Sequence, residues 1–285
     1  MAENNASTSS DAGSPLMQVI ISLSFVVAIY LLFGTIELLN NYIKRLQGNR
    51  TELLPITYNT ANKTFQLVQN PNSANSLMVQ PSTNEFTGIE FSYSFFIKVD
   101  QNTFNTPATS GLQHIFHKGS PSQFPLLGPG VYMNSNTNTL RVYMSTYDKW
   151  NNFIDVENIP VGKWAHITLV CKASHLEIYV NGNIKSRLGF DVSPPYQNYG
   201  DIYAFSQRRF TLSMAKIVSL KEDFKVTGAM QGMVSRLYYF SYALSYSEIN
   251  SLFNQGPSST LDSVSGAADT QTYLSDTWWT ANFAS

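Results

Sequence analysis

Three histidines are the side chains whose type and spacing first suggest chemistry. His114 and His117 form an H-x-x-H pair, which on a helix would present both imidazoles to one metal ion. The surrounding sequence L-Q-H-I-F-H-K-G has the pattern of a strand, and positions three apart on a regular strand point to opposite faces. We therefore predict two ordinary histidines at a loop edge and no metal site. His166 lies beside Trp164 within another predicted strand, which favours a hydrogen-bonded structural histidine over a catalytic one.

The stretch from Val161 to Ser186 contains the strands on which the predicted fold is built. From Trp164 to Cys171 the residues are apolar on both strand faces, as expected in the middle of a packed sheet. Cys171, the only cysteine of the chain, is therefore predicted to be buried, and no disulfide can form within the chain. A second alternating run leads to Asn181-Gly182, the dipeptide that best tolerates the two positive φ angles of a type I′ turn. The stretch predicts three successive antiparallel strands.

The same stretch carries a resemblance to a known family. The sequences G-K-W-A-H-I-T-L-V and, after a short turn, L-E-I-Y-V-N-G resemble the central strands of laminin-G-like, concanavalin A-like domains. Phe91–Asp100, His114–Gly119 and Gly232–Gln255 resemble the family's early strand, its h-x-h-x-K-G strand end, and its last strand with a short closing helix. The resemblance covers about residues 60–256 and implies an all-β fold, a two-sheet antiparallel jelly-roll sandwich.

Some members of this fold are glycosidases, which require two carboxylates roughly 5 to 9.5 Å apart. Asp155 and Glu157 lie two positions apart and share a strand face. The third acid of an E-x-D-x-x-E site is missing, and the sequence contains no G-x-S-x-G motif. We predict an exposed acidic strand edge, no catalytic residues and no enzyme activity.

The resemblance also implies two kinds of ligand. Members of the family often hold calcium through an aspartate at the rim, for which Asp148 and Asp201 are candidates, although no oxygen-rich calcium loop surrounds them. Sugar binding would use exposed aromatic rings beside amides, and Trp150, Asn151 and Tyr196 supply such side chains. We predict no required cofactor, with calcium and glycan binding as open alternatives.

An apolar segment precedes the predicted sandwich. Leu16–Ile36 contains no charged residue and, as a helix, spans the roughly 30 Å of a bilayer core. The residues before it include acidic Glu3 and Asp11 and no Lys or Arg, and no small-residue cleavage site follows. These features favour one uncleaved transmembrane helix over a signal peptide. The predicted anchor residues are Leu16, Phe25, Leu32 and Ile36.

The flanking charges predict the orientation of this helix. Lys44, Arg45 and Arg50 follow the apolar segment, and the positive-inside rule then places the N-terminus outside and the large domain on the cytoplasmic side. Three glycosylation sequons, at Asn5, Asn49 and Asn62, point weakly the other way, but such tripeptides occur by chance in an Asn-rich chain. We therefore predict a single-pass membrane protein with a cytoplasmic domain.

The chain divides into four predicted regions: a disordered N-terminus (1–15), a transmembrane helix with a juxtamembrane stalk (16–47), the jelly-roll domain (51–256), and a linker with an aromatic tail (257–285). Exposed aromatic rings beyond a flexible linker are an aggregation hazard, and tryptophan and tyrosine often anchor interfaces. The tail therefore predicts docking to a neighbouring protein, and the alternative is a final edge strand packed over the domain's own core. The candidate docking residues are Tyr273, Trp278, Trp279 and Phe283.

Composition and layout predict function by binding. Charged residues make up 13% of the chain and the net charge is -1, so the sequence has no basic footprint for nucleic acid. A membrane anchor followed by a sandwich resembles the layout of minor capsid proteins of large DNA viruses, whose shell surrounds an internal membrane. We predict a non-enzymatic structural protein at the interface of a virion inner membrane and the capsid, in contact with the lipid bilayer and neighbouring structural proteins. The alternatives are a lectin-like glycan-binding membrane receptor and an accessory subunit of a cellular membrane complex.

The orientation is tested with sealed vesicles whose cytoplasmic face points outward. If the basic flank controls insertion, added protease digests the large domain, and disrupting the vesicles with detergent exposes no further domain. Glycans attached at Asn49 or Asn62 would contradict this orientation.

Overall fold

A computed structural model of the protein describes residues 15–48, 50–61, 63–73, 76–82, 89–104, 111–190, 192–213 and 223–262. The chain forms two compact units, residues 1–49 and 50–285. The predicted docking tail and the sequons at Asn49 and Asn62 lie outside the described residues.

The first unit contains one helix, α1 (Pro15–Gly48), which confirms the predicted apolar helix. Its segment Met17–Asn40 has a mean hydropathy of 2.5, and none of that segment is buried within the structure. The predicted anchor residues Phe25, Leu32 and Ile36 are exposed. Such a helix has the length and composition of a membrane span or a signal sequence.

The second unit is a sandwich of two β-sheets, which confirms the predicted fold class. Its strands are β1 (Arg50–Asn59), β2 (Phe65–Leu67), β3 (Phe91–Val99), β4 (Leu112–Gly119), β5 (Leu127–Asn134), β6 (Leu140–Tyr143), β7 (Phe153–Val156), β8 (Trp164–Lys172), β9 (His175–Val180), β10 (Asn183–Gly189), β11 (Ile202–Ala204), β12 (Arg209–Leu212), β13 (Phe224–Ala229) and β14 (Gly232–Phe240). A short 3₁₀ helix (Gln101–Phe104) and the helix α2 (Tyr246–Gln255) complete it.

The first sheet has the strand order β1-β14-β3-β8-β9-β10, with antiparallel neighbours throughout. The second has the order β12-β13-β4-β5-β6-β7, with β11 beside β4 and β2 beside β11. One pairing of this second sheet differs from the antiparallel prediction, because β13 runs parallel to β4.

The central strand β8 packs as its sequence predicts. Ala165, Ile167, Leu169 and Cys171 belong to the apolar core between the sheets and are at most 1% exposed. The opposite face of β8 lies beneath α2, where Val170 joins a second apolar cluster. The burial of both faces explains why the strand has no polar alternation.

Local signals also define the hairpin and the closing helix. Asn181 and Gly182 have φ angles of 50° and 80°, as the type I′ turn requires. Ser245 caps α2 and forms a capping box with Glu248, so the first backbone N–H groups of the helix have partners. Ile249 is fully buried and fastens α2 to the sheet.

The strand β1 is absent from the sequence-based prediction. Pro55 interrupts its run of apolar residues, and a proline within such a run is unfavourable in a central strand. Because β1 pairs with β14 alone among the named strands, it is an edge strand, and a proline is tolerated there. Leu53 and Leu54 are nevertheless buried, so β1 contributes to the core.

The domain also continues beyond its predicted end at residue 256. Residues 258–262 run beside β1, where the Thr57 N–H donates to the Thr260 carbonyl (2.9 Å) and the Asp262 N–H donates to the Thr57 carbonyl (2.8 Å). The Ser258 N–H donates to the Ser235 hydroxyl at 2.9 Å. The predicted linker therefore begins too early, because these residues cover the edge of the first sheet.

A truncation experiment measures what this segment contributes. We expect a chain of residues 50–256 to be about 2 to 4 kcal/mol less stable than one of residues 50–262, because several hydrogen bonds are lost at about 0.5–1.5 kcal/mol each. Urea unfolding measures the difference, with residues 50–285 as the reference. Equal midpoints for the two shorter chains would contradict the assigned contacts.

Candidate functional site

A bulge in β4 places both of its histidines on one face of the sheet. His114 pairs with Tyr132 and Phe116 pairs with Val131, so β4 has one extra residue, Ile115, between these two pairs. After the extra residue, each side chain of β4 points to the face opposite to the one that regular alternation would give it. The prediction that His114 and His117 point to opposite faces is therefore wrong.

The two imidazoles form a buried chain of hydrogen bonds. The Ser206 N–H donates to His114 Nδ1 (3.0 Å), so the His114 proton lies on Nε2 and is donated to His117 Nδ1 (2.7 Å). His117 Nε2 in turn donates to the Ser120 carbonyl at 2.9 Å. All four ring nitrogens thus have a partner and both rings are neutral. The histidines are buried structural residues and do not lie at an exposed loop edge.

Burial lowers the pKa of these histidines. It lowers the pKa of His117 to about 4, and the pKa of His114 lies well below its usual value because of burial and the neighbouring His117. His166 is also buried, which lowers its pKa to about 4, and its Nε2 lies 2.8 Å from the Ser94 hydroxyl. His166 is thus buried and hydrogen-bonded through Nε2, and its structural role stays a prediction.

The end of β4 holds a neighbouring loop through Lys118. The Lys118 ammonium donates to the Asn198 carbonyl (2.6 Å) and the Gly200 carbonyl (2.8 Å), and its side chain is buried. Next to it, the Gly119 N–H donates to the Asp201 carbonyl at 3.0 Å. A Cβ on Gly200 would lie 2.5 Å from the Gly119 carbonyl oxygen, so the two chain segments cross at a distance that requires glycine. The contacts of Lys118 and Gly119 therefore hold residues 198–201 in place.

This loop meets a second loop at one rim of the sandwich. Thr146 and Pro195 form a β-bridge, and the Tyr196 N–H donates to the Ser145 carbonyl at 2.9 Å. The rings of Tyr147 and Tyr196 lie edge to face, with centroids 5.0 Å apart and an interplanar angle of 71°. We call these two rings, together with Tyr199 on the same loop as Tyr196, the tyrosine rim. Tyr147 is 66% exposed and Tyr199 is 85% exposed.

The structure brings the two predicted glycan-binding segments together but changes which side chains face solvent. The Trp150 ring packs edge to face against Phe124 (4.5 Å) and lies 6.0 Å from Phe224, and Asn151 is buried. Trp150 and Asn151 are therefore packing residues, and of the predicted set Tyr196 alone presents a ring at the rim. The sequence analysis chose Trp150 as the exposed ring of this loop and missed Tyr147, because nothing in the sequence indicates that Trp150 turns inward.

The predicted calcium candidates do not form a ligand cluster. The Asp201 carboxylate accepts from the Gln69 N–H and from Gln66 Nε2, both at 2.8 Å. Asp148 accepts from the Thr146 hydroxyl at 2.6 Å, which lowers the pKa of the aspartate. Among the described residues, no group of three or more His, Cys, Asp or Glu side chains could hold a metal ion. Calcium binding at these two positions stays a prediction from the family resemblance.

Of the predicted acidic edge, Asp155 lies on β7, the last strand of the second sheet, and Glu157 directly follows that strand. Asp155 and Glu157 are both exposed, as expected. The Asp155 carboxylate forms a two-pronged ion pair with Arg141, with both nitrogen–oxygen distances at 2.7 Å. This pair lets Arg141 cover the Phe153 ring at 4.2 Å. The contacts of Asp155 are those of a surface ion pair.

A pocket separate from the tyrosine rim lies where β1 and β3 end and β14 begins. It has a volume of about 510 Å³ and polar walls that include Lys98, Asp100, Gln101 and Gln231. Its described lining residues include no aromatic ring. The tyrosine rim is therefore the better candidate for binding sugars, because their ring faces pack on aromatic side chains.

The fold defines the second unit as a two-sheet β-sandwich domain preceded by an apolar helix. The chain belongs to the concanavalin A-like lectin/glucanases superfamily, whose laminin G family model matches residues 72–250, well over half of the sequence. Among curated proteins, none matches the sequence.

Solved structures with similar folds include botulinum neurotoxin binding domains. The receptor-binding domain of the mosaic serotype C/D toxin has 11% identity and a TM-score of 0.45, over 72% of this chain and 45% of that chain. The serotype D binding domain has 12% identity and a TM-score of 0.45, over 72% of this chain and 51% of that chain. The binding domain of neurotoxin DC in complex with SialylT has 17% identity and a TM-score of 0.41, over 59% of this chain and 35% of that chain. The chain thus spans about a third to a half of these proteins.

The buried histidines predict that acid destabilises the domain. A histidine whose pKa is lowered in the folded state binds a proton more tightly in the unfolded state. Its contribution to the free energy of unfolding is therefore complete above the unfolded pKa of about 6.5 and is lost as the pH drops toward the folded pKa. We expect protonation of His117 and of His166 each to lower the free energy of unfolding by about 2 kcal/mol between pH 7 and pH 5.

Urea unfolding of residues 50–285 at the two pH values measures this loss. The variant His166→Gln, which keeps an amide to bond Ser94, is expected to lose less stability on acidification than the parent. Stability that is independent of pH over this range would contradict the neutral, buried state of these rings.

Proposed function

We propose that the protein is a lectin-like module that α1 holds at a membrane and that binds glycans at the tyrosine rim. The observation that carries the proposal is the pairing of Tyr147 with Tyr196, which joins two loops into one aromatic surface. Membership of a superfamily that includes lectins supports it. Exposed aromatic side chains held in place by backbone contacts are typical of binding surfaces.

The geometry of the rim suits a ligand with both apolar and polar faces. Tyrosine offers a rigid apolar ring with a hydroxyl at its tip, at a small cost in conformational entropy. Tyr147 and Tyr196 meet at 71° and so form a corner, with Tyr199 farther along the same loop. The apolar face of a sugar ring packs on such a surface while its hydroxyls bond to polar groups nearby.

The proposed role requires no chemistry. The superfamily includes glucanases as well as lectins, so family membership leaves enzymatic activity open. In this chain the Asp155 carboxylate is paired with Arg141, and burial raises the pKa of the Cys171 thiol, which keeps the sulfur from becoming a nucleophile. These two observations support a binding protein over a hydrolase.

A structural role at a virion membrane is a second candidate. The basic residues after the apolar helix favour it, because the positive-inside rule predicts a domain on the cytoplasmic side, away from cell-surface glycans. The location of the protein in purified particles or cellular membranes, found by labelling, distinguishes the two candidates. An accessory role in a cellular membrane complex would show as co-purification with that complex.

Substitutions at the rim test the glycan proposal. We expect Tyr147→Ala and Tyr196→Ala each to weaken binding to a glycan at least about tenfold, because a stacking ring contributes more than about 1 kcal/mol. Binding of the full chain in lipid nanodiscs is measured on a glycan array and then by titration with the best ligand.

The matched control is Tyr246→Ala, because Tyr246 is 60% exposed on α2 and lies outside the rim. Equal losses in the rim variants and the control would refute the assignment of the rim. The absence of any glycan bound by the parent would refute the proposed function itself.

A further inference from the structure

We propose that the pocket beside Tyr199 binds the negatively charged group of an acidic sugar, a carboxylate or a sulfate, through the ammonium of Lys118. The inference rests on the proposed glycan-binding function and specifies the class of glycan. The pocket has a volume of about 150 Å³, and Lys118, Asn198 and Tyr199 are among its lining residues. It adjoins the tyrosine rim, because Tyr196 and Tyr199 belong to one loop.

The ammonium of Lys118 keeps one donor for a ligand. A lysine ammonium has three N–H donors, and this one donates to two backbone carbonyls, those of Asn198 and Gly200. Lys118 is 3% exposed, so bulk water does not solvate the third N–H freely. A buried cation with an open donor is stabilised by an anion at hydrogen-bond distance.

The charge of Lys118 has no direct counterion among the described residues. None of their ion pairs includes Lys118. The charge of Asp201 acts on Lys118, but the two carboxylate oxygens of Asp201 already accept from Gln66 and Gln69. Burial lowers the pKa of Lys118 to about 8, so the amine remains mostly protonated at neutral pH.

Each amide side chain that lines the pocket both donates and accepts a hydrogen bond within the protein. Gln69 donates to the Leu77 carbonyl (2.8 Å) and accepts from the Val79 N–H (2.9 Å). Gln197 donates to the Tyr239 hydroxyl (2.8 Å) and accepts from the Ser82 N–H (3.1 Å).

Asn198 is engaged in the same way. Its amide donates to the Lys118 carbonyl (3.1 Å) and accepts from the Gly200 N–H (2.9 Å). Gln197 and Asn198 each keep a second amide N–H, but Lys118 is the charged group of the described lining, and its charge selects an anion.

The mouth of the pocket suits a sugar that carries this anion. Met78 is 49% exposed and Tyr199 is 85% exposed, and both line the pocket together with Val79 and Pro81. Apolar walls exclude water from the ion pair and so strengthen it. The tyrosine ring offers the sugar ring a surface to pack on while the acidic group enters the pocket.

The experiment compares an acidic and a neutral sugar on the full chain in nanodiscs of uncharged lipid. The probes are methyl glucuronide, methyl glucoside and inorganic sulfate, observed by ligand-detected NMR titration. We expect the glucuronide to bind at least about tenfold more tightly than the glucoside, as a charge-assisted hydrogen bond provides. Sulfate should compete with the glucuronide.

Two variants of Met78 locate the binding without disturbing Lys118. Met78→Glu places a like charge at the mouth and is expected to reduce glucuronide binding at least about tenfold, whereas the matched neutral variant Met78→Gln retains it. Both changes are at an exposed side chain, so both proteins should fold. Lys118→Met is a supporting variant, although it also leaves two carbonyls without a donor.

The outcomes separate this inference from the proposed function. The acidic-sugar assignment would be overturned if neutral glycans bind through Tyr147 and Tyr196 while the chain shows no preference for the glucuronide. It would also be overturned if Met78→Glu has no effect on glucuronide binding. In both cases the glycan function would still stand. Sulfate that binds while neither sugar does would also overturn the assignment, since the pocket would then hold an anion only. If the parent chain binds no glycan at all, both proposals fail.

Discussion

The single extra residue in β4 is the constraint on which the candidate site depends. Strict alternation along this strand would place His117 in the same layer as Ile115. The bulge instead leaves Ile115 and Phe116 together in the core and returns His117 to the face of His114, where the two rings bond each other. The same shift sets the direction of Lys118, the next residue, which reaches the loop carbonyls. A local irregularity of one residue thus determines both a buried polar network and the wall of a pocket.

Hydrogen bonds from β4 and the neighbouring loop hold the loop that carries Tyr196 in place. The loop that carries Tyr196 is joined to β4 through Lys118 and to the neighbouring loop through the bridge between Thr146 and Pro195. Hydrogen bonds from a charged donor contribute about 1.5–3 kcal/mol each, which is enough to order a short loop. A preformed rim loses little conformational entropy when a ligand binds. Such a preformed surface suits the proposed binding function.

Elements with strong local signals could be predicted from the sequence. Three such elements are the faces of β8, the turn at Asn181-Gly182 and the capping box at Ser245. Each depends on residues that are only a few positions apart in the sequence. Elements that depend on distant partners could not. The strand β1 contains Pro55 and is stabilised by β14, nearly two hundred residues later, so its own sequence argues against it.

The sequence by itself determined the class of fold, the apolar helix and the burial of Cys171, because hydrophobic periodicity and turn chemistry are local properties. The tertiary structure decided which polar side chains meet. A bulge at Ile115 is a property of the pairing between two strands and leaves no mark in residue order. Trp150 turned inward and Tyr147 outward because Phe124 and Phe224, distant in sequence, provide the cavity for the indole. The candidate site was therefore decided by long-range packing, which no local pattern encodes.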